Sequence, residues 1–172
     1  MERQMTCKSL ALAAAFTLTA GFSLAEDITV GTLVLKDPYA FETAKTARAG
    51  GAFVRIVNTG SDPDRLLDVR ADYPKVQVHE TIEKDGIARM QPAGEIDIPA
   101  GGMIELKPGG YHIMFMGLKG AQRFSVGETV EATLVFEQAG EVTIDFPVRK
   151  RTGGKADMGQ MGTMEQGNNA SN

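Results

Sequence analysis

The sequence predicts an all-β fold, an antiparallel sandwich or barrel, and three observations carry that reading. Short runs rich in β-branched and aromatic residues recur about every 8–12 residues, with Gly, Pro, Asn and Asp between them. The final run alternates cleanly, with Val142, Ile144, Phe146 and Val148 on one face and Thr143, Asp145 and Arg149 on the other. No strand–helix–strand alternation is present, so a parallel sheet is not expected.

Taken in order, residues 28–35 are rich in β-branched side chains and run into Asp37-Pro38, a turn signal. Residues 39–49 hold Ala, Glu and Lys in helix-like proportion but show no apolar stripe, which leaves a short helix and a loop equally open. Residues 52–57 read as a strand closed by the polar cluster 58–64. That cluster has carboxylates but lacks the ligand spacing of an EF-hand loop, and reads as a solvated turn. Strands follow at 66–69 and 76–82, then Asp85-Gly86 makes a hairpin turn into 87–90. Residues 95–98 and 103–106 flank a glycine-rich turn, and 111–116, 130–136 and 142–148 complete the set.

A length of 172 residues allows one ordinary domain with terminal extensions. The net charge of −4, with no basic stripe, argues against nucleic acid or an anionic membrane surface as partner. Arg3 and Lys8, the apolar run 9–22 and Ser23-Leu24-Ala25 form the three parts of a signal peptide over residues 1–25. The apolar run is short for a membrane span, so a mature domain over 26–150, periplasmic and unanchored after cleavage, is expected. Cys7 precedes that run, and the mature chain then has no cysteine. Disulfides, a thiolate nucleophile, a cysteine zinc site and a blue-copper centre are excluded together. The two histidines have no recognisable nucleophile beside them, and no enzymatic turnover is expected.

Those two histidines are the remaining chemistry. The order is His79, ten residues, Met90, twenty-one residues, His112, one residue, Met114. Alternate residues of a strand share a face, so His112 and Met114 project together while Tyr111, Ile113 and Phe115 turn to the core. His79 shares a face with Gln77 and Thr81, the polar side of its strand, opposite Val76 and Val78. Thioether and neutral imidazole suit soft Cu(I), whereas zinc favours thiolate, imidazole and carboxylate. Acid should compete for the imidazoles. A methionine in a strand is more often a core filler, the reading given to Met103, and Met116 falls outside the set. On these residues alone, metal binding and a metal-free sandwich that binds a protein partner remain equally open.

The spacing resembles the H-x10-M-x21-H-x-M signature of the periplasmic PCu(A)C copper chaperones. The segments 51–60 and 108–118 and Gly140-Glu141-Val142 resemble that family as well, so that the likeness covers about residues 27–149. Tyr39-Ala40-Phe41 departs from it, standing where a tryptophan-containing segment is expected. The resemblance implies a cupredoxin-like Greek-key β-sandwich that binds Cu(I) through His79, Met90, His112 and Met114. It further implies delivery for the binuclear copper centre of cytochrome c oxidase, with an oxidase subunit or another assembly chaperone as the copper-accepting partner. A copper buffer or resistance protein is the alternative. Beyond Lys150 the chain turns glycine-rich and polar, and disorder is expected over 151–172. Met158, Met161 and Met164, spaced by three there, form a candidate secondary Cu(I) set, set against incidental methionines in a low-complexity end.

Overall fold

A computed structural model describes residues 27–151. The expected signal peptide over 1–25 and the tail from 152 onward, including Met158, Met161 and Met164, lie outside the described residues. The strands are β1 (Ile28–Val30), β2 (Leu33–Phe41), β3 (Ala49–Asn58), β4 (Asp64–Arg70), β5 (Lys75–Lys84), β6 (Ile87–Pro92), β7 (Ile96–Ile98), β8 (Met103–Leu106), β9 (Tyr111–Met116), β10 (Thr129–Phe136) and β11 (Glu141–Arg149). One 3-10 turn, Gly120–Gln122, lies between β9 and β10.

The strands form two layers. One carries β6, β5, β9, β3, β2 and β1 as successive neighbours, with β8 beside β3 beyond the end of β9. The other carries β11, β10, β4 and β7. The all-β sandwich expected from the strand pattern, and the cupredoxin-like form implied by the family resemblance, is the fold observed. Its core comes from alternate residues, among them Leu33 and Leu35 on β2, Ile113 and Phe115 on β9, Leu134 on β10 and Phe146 on β11. Burying each such side chain contributes about 1.5–3 kcal/mol before entropy is set against it.

One row of residues fixes the orientation of the first layer, starting from β11, which pairs with β2 at the junction of the two. Val148 stands opposite Ala40, Ala40 opposite Ala52, Ala52 opposite Ile113, and Ile113 opposite Val78. All five are buried. Because side chains alternate along a strand, their neighbours Arg149, Gly51, Met114 and Gln77 face outward.

Several expectations need correction. Asp37-Pro38 does not end its strand: β2 runs on through Phe41, and the register shifts between Lys36 and Tyr39. Asp37 takes a φ of +47°, and a proline without an N–H is tolerated at such an irregularity. The helix considered for 39–49 is absent, its first residues belonging to β2 and its last to β3. Two short parallel contacts exist, β11 with β2 and β8 with β9, although most pairing is antiparallel. Met103 is 58% exposed rather than a core filler, since it lies on the outer face opposite Val57.

The 58–64 turn is less solvated than expected, because its two end residues are buried. Asn58 Nδ2 donates to the Asp62 carbonyl at 2.8 Å, and its Oδ1 accepts from the Gly60 amide at 2.9 Å. The Asp64 carboxylate accepts from the amides of Arg65, Gln138 and Ala139 at 2.7, 3.0 and 3.0 Å. These carboxylate and amide groups are occupied in holding loops together. No group of three His, Cys, Asp or Glu suited to a metal forms among the described residues.

Candidate metal centre

Three neighbouring strands assemble the candidate site. Between β8 and β9 the chain turns through Lys107-Pro108-Gly109-Gly110, with Gly109 at φ +83°, where a side chain would be strained. The Gly110 amide donates to the Lys107 carbonyl at 3.1 Å, and the Lys107 amide donates to the Tyr111 carbonyl at 2.6 Å. This turn sets the register of β9, whose buried Ile113 and Phe115 hold it against the core. On β5 and β6, the hairpin turn at Asp85-Gly86 has φ values of +57° and +74°, as the sequence led us to expect.

The resulting register brings the four predicted residues to one face. His79 on β5 is directly opposite His112 on β9. Met114 is opposite Gln77, one alternate position along from the histidine pair. Met90 on β6 is opposite Thr81, the alternate position on the other side of His79. Directly opposed residues share a face, so His79, His112, Met90 and Met114 all project outward, around His79. Glu80 is adjacent in sequence but alternates to the other face. Met116 is one alternate position further along β9, beyond Met114, opposite Lys75.

Burial divides the set. His79 and His112 are only 9% and 7% exposed, whereas Met90 is 62% exposed and Met114 is half-buried. The polar side of β5 that carries His79 is therefore covered at that ring, with an exposed methionine at its rim. The imidazole rings lie 6.1 Å apart between centroids.

The two histidines are held differently. His112 Nδ1 lies 3.0 Å from the Gly110 carbonyl, which only accepts, so Nδ1 carries a proton and Nε2 is the nitrogen left outside that bond. Among the described residues His79 has no hydrogen-bond partner at either ring nitrogen, and both atoms are buried. Burial holds the His79 pKa below its ordinary value, with the nearby His112 and then Lys75 adding to the effect. The ring is neutral at pH 7 and its lone pair is available. Two buried imidazoles, flanked by two thioethers, are a donor set that fits a soft monovalent cation.

Sequence reading alone did not assign the neighbours of this set. Gly51 is opposite Met114, and a Cβ there would lie 3.3 Å from Phe53 Cζ. The Phe53 ring packs with Tyr39 and Phe41 at centroid distances of 5.0 and 5.4 Å. Arg149 and Arg151 lie over Tyr39 and Phe41, each 5.0 Å from the ring centre. Thus the segment that departs from the copper-chaperone pattern still supplies an aromatic cluster on the site's face. The Gly110 carbonyl could not be read from side-chain types, because its role is carried by the backbone.

A family model described as "Putative lipoprotein LpqE-like" matches residues 33–148. The chain belongs to the LpqE-like family. This LpqE-like chain is 35% identical over 113 residues to the "Putative lipoprotein Lxx21020" of Leifsonia xyli subsp. xyli (strain CTCB07), covering 63% of this chain and 67% of that one. Among solved structures, it is similar to the copper-bound PCuAC domain from PmoF2, with a TM-score of 0.60 and 29% identity over 73% of this chain and 98% of that one. The apo PCuAC domain from PmoF1 matches with a TM-score of 0.61 and 27% identity, over 73% and 99% of the two chains. The CuI form of DR1885 from Deinococcus radiodurans gives a TM-score of 0.54 and 25% identity, over 74% and 83%. The resemblance drawn from the His79 to Met114 spacing is borne out: the LpqE-like chain is a PCuAC-type domain.

Proposed function

We propose that this protein is a Cu(I) metallochaperone. It binds one Cu(I) as cargo through His79, Met90, His112 and Met114 and passes it to a copper-accepting protein by ligand exchange. The observation that carries this reading is the register that sets His79 opposite His112 and puts both methionines on the same face. The similarity to a copper-bound PCuAC domain and to a CuI-loaded relative supports it. Neutral ligands leave the ion its single charge, and exposed Met90 is the ligand an incoming donor displaces first. That exposure favours delivery over sequestration as a copper buffer.

The destination in this reading is the binuclear copper centre of cytochrome c oxidase, reached directly or through another assembly chaperone. The domain over 26–150 acts in the periplasm after removal of residues 1–25, without enzymatic turnover. Met158, Met161 and Met164 serve as a secondary capture set for the same cargo.

Anaerobic titration of Cu(I) against a competing chelator tests the binding. One equivalent bound tightly is expected, with affinity lost when His112→Ala and Met114→Leu are combined. Unchanged affinity in that double variant would sink the reading. Delivery is tested by loading an oxidase copper-site fragment: the loaded protein should metallate it faster than free Cu(I) does, and a buffer would slow it.

A further inference from the structure

Three polar atoms on the site's face are buried without a hydrogen-bond partner among the described residues: His79 Nδ1, His79 Nε2 and Gln77 Oε1. Buried polar atoms are almost always satisfied, and each exception carries a cost that native structures rarely leave standing. The three are also neighbours. Gln77 and His79 are alternate residues of β5, and Gln77 stands directly opposite Met114.

Cargo binding resolves only part of this account. A neutral imidazole has one lone pair and one N–H, and a bound ion takes the lone pair. The His79 N–H would remain buried without an acceptor, and Gln77 Oε1 would remain an acceptor without a donor. His112 has no such deficit, since its Nδ1–H donates to the Gly110 carbonyl at 3.0 Å. Metal-binding histidines as a rule hold their other N–H in such a bond, which fixes tautomer and ring orientation.

We infer that Gln77 is the positioning residue of His79: its Oε1 accepts the His79 N–H that faces away from the cargo ion. The bond matches the two remaining orphans to each other and does for His79 what the Gly110 carbonyl does for His112. It also differs in kind. A backbone carbonyl holds His112 before any cargo arrives, whereas the Gln77 amide is a side chain that closes on His79 when the ring is oriented. His112 is the fixed half of the site, and His79 is the half that is set on loading. The inference rests on the Cu(I)-binding reading above.

The test compares wild type, Gln77→Leu and Gln77→Glu by anaerobic chelator competition and by nitrogen–proton correlation spectra of the histidine rings. Gln77→Leu should weaken Cu(I) binding by about 10–100-fold, the usual effect of losing such a partner. Gln77→Glu keeps an acceptor and should bind at least as tightly as wild type. In loaded wild type the non-ligating His79 N–H should exchange slowly with solvent, and in Gln77→Leu quickly. The melting temperature of metal-free Gln77→Leu should match or exceed wild type, because an orphan acceptor is removed. Wild-type affinity with a slowly exchanging His79 N–H in Gln77→Leu would overturn the assignment, as would equal weakening in Gln77→Glu. Absence of Cu(I) binding by wild type would instead overturn the binding reading itself, and this role with it.

Discussion

His79 and His112 face each other across β5 and β9, yet among the described residues only His112 has a partner for its ring, at Nδ1 to the Gly110 carbonyl. The pair is therefore asymmetric before any ion arrives. In the metal-free protein at neutral pH, ring-nitrogen chemical shifts should show His112 as a single Nδ1–H tautomer and His79 as a mixture. Identical tautomer populations for the two rings would contradict this. Replacing either histidine by alanine should lower Cu(I) affinity by more than the ~10–100-fold typical of supporting residues.

Met90 is the position at which the proposed Cu(I) binding can be tested apart from folding. The residue is 62% exposed on the edge strand β6, so it contributes little to the core. Met90→Leu should change unfolding free energy by no more than about 0.5 kcal/mol, the range for surface positions. The same variant should bind Cu(I) more weakly in chelator competition. Urea unfolding and the competition assay, run on one preparation, check both halves.

Acid should weaken the metal-free fold through His79. The folded chain holds this ring below its ordinary pKa of 6.5, so as pH falls the unfolded chain takes up the proton first. The stability associated with the neutral ring is complete above the unfolded pKa and is lost as pH drops from there through the lower folded value. The difference in unfolding free energy between wild type and His79→Gln isolates this contribution. It should be constant at about pH 7–8 and move against wild type below about 6.5. A difference independent of pH would exclude the coupling.

Gly50 is fixed by packing rather than by backbone freedom. A Cβ there would lie 2.5 Å from Phe124 Cε2. Phe124 is 2% exposed and stacks edge-on to Phe115 at 5.3 Å and to Tyr73 at 5.9 Å, so its ring has nowhere to retreat. Gly50→Ala should cost about 1–3 kcal/mol, the range for overpacking, and lower the melting temperature. Gly110→Ala is the control, since its Cβ would meet nothing closer than 3.8 Å.

Much of the fold was readable because alternation and turn chemistry are local. The runs at 103–106 and 111–116 match β8 and β9, and the clean alternation of 142–148 became the half-buried β11. The failures share one cause. Asp37-Pro38 reads as a turn in isolation, but pairing with β3 on both sides of the irregularity carries β2 through it. Residues 39–41 look unpatterned because their partners are β3 and, at Ala40 and Phe41, the distant β11.

The same division holds at the site. The sequence by itself determined which donors exist: two histidines and a handful of methionines, with the sole cysteine ahead of the apolar leader run, and hence a soft, neutral ligand set. It also determined that His112 and Met114 share a face, because strand period is a property of one chain segment. Only the tertiary structure decided that His79 lies opposite His112, that Met90 flanks it from β6, and that both rings are buried while Met90 is not. Register between strands is set by long-range packing, here the buried row from Val148 to Val78, and no local pattern encodes it.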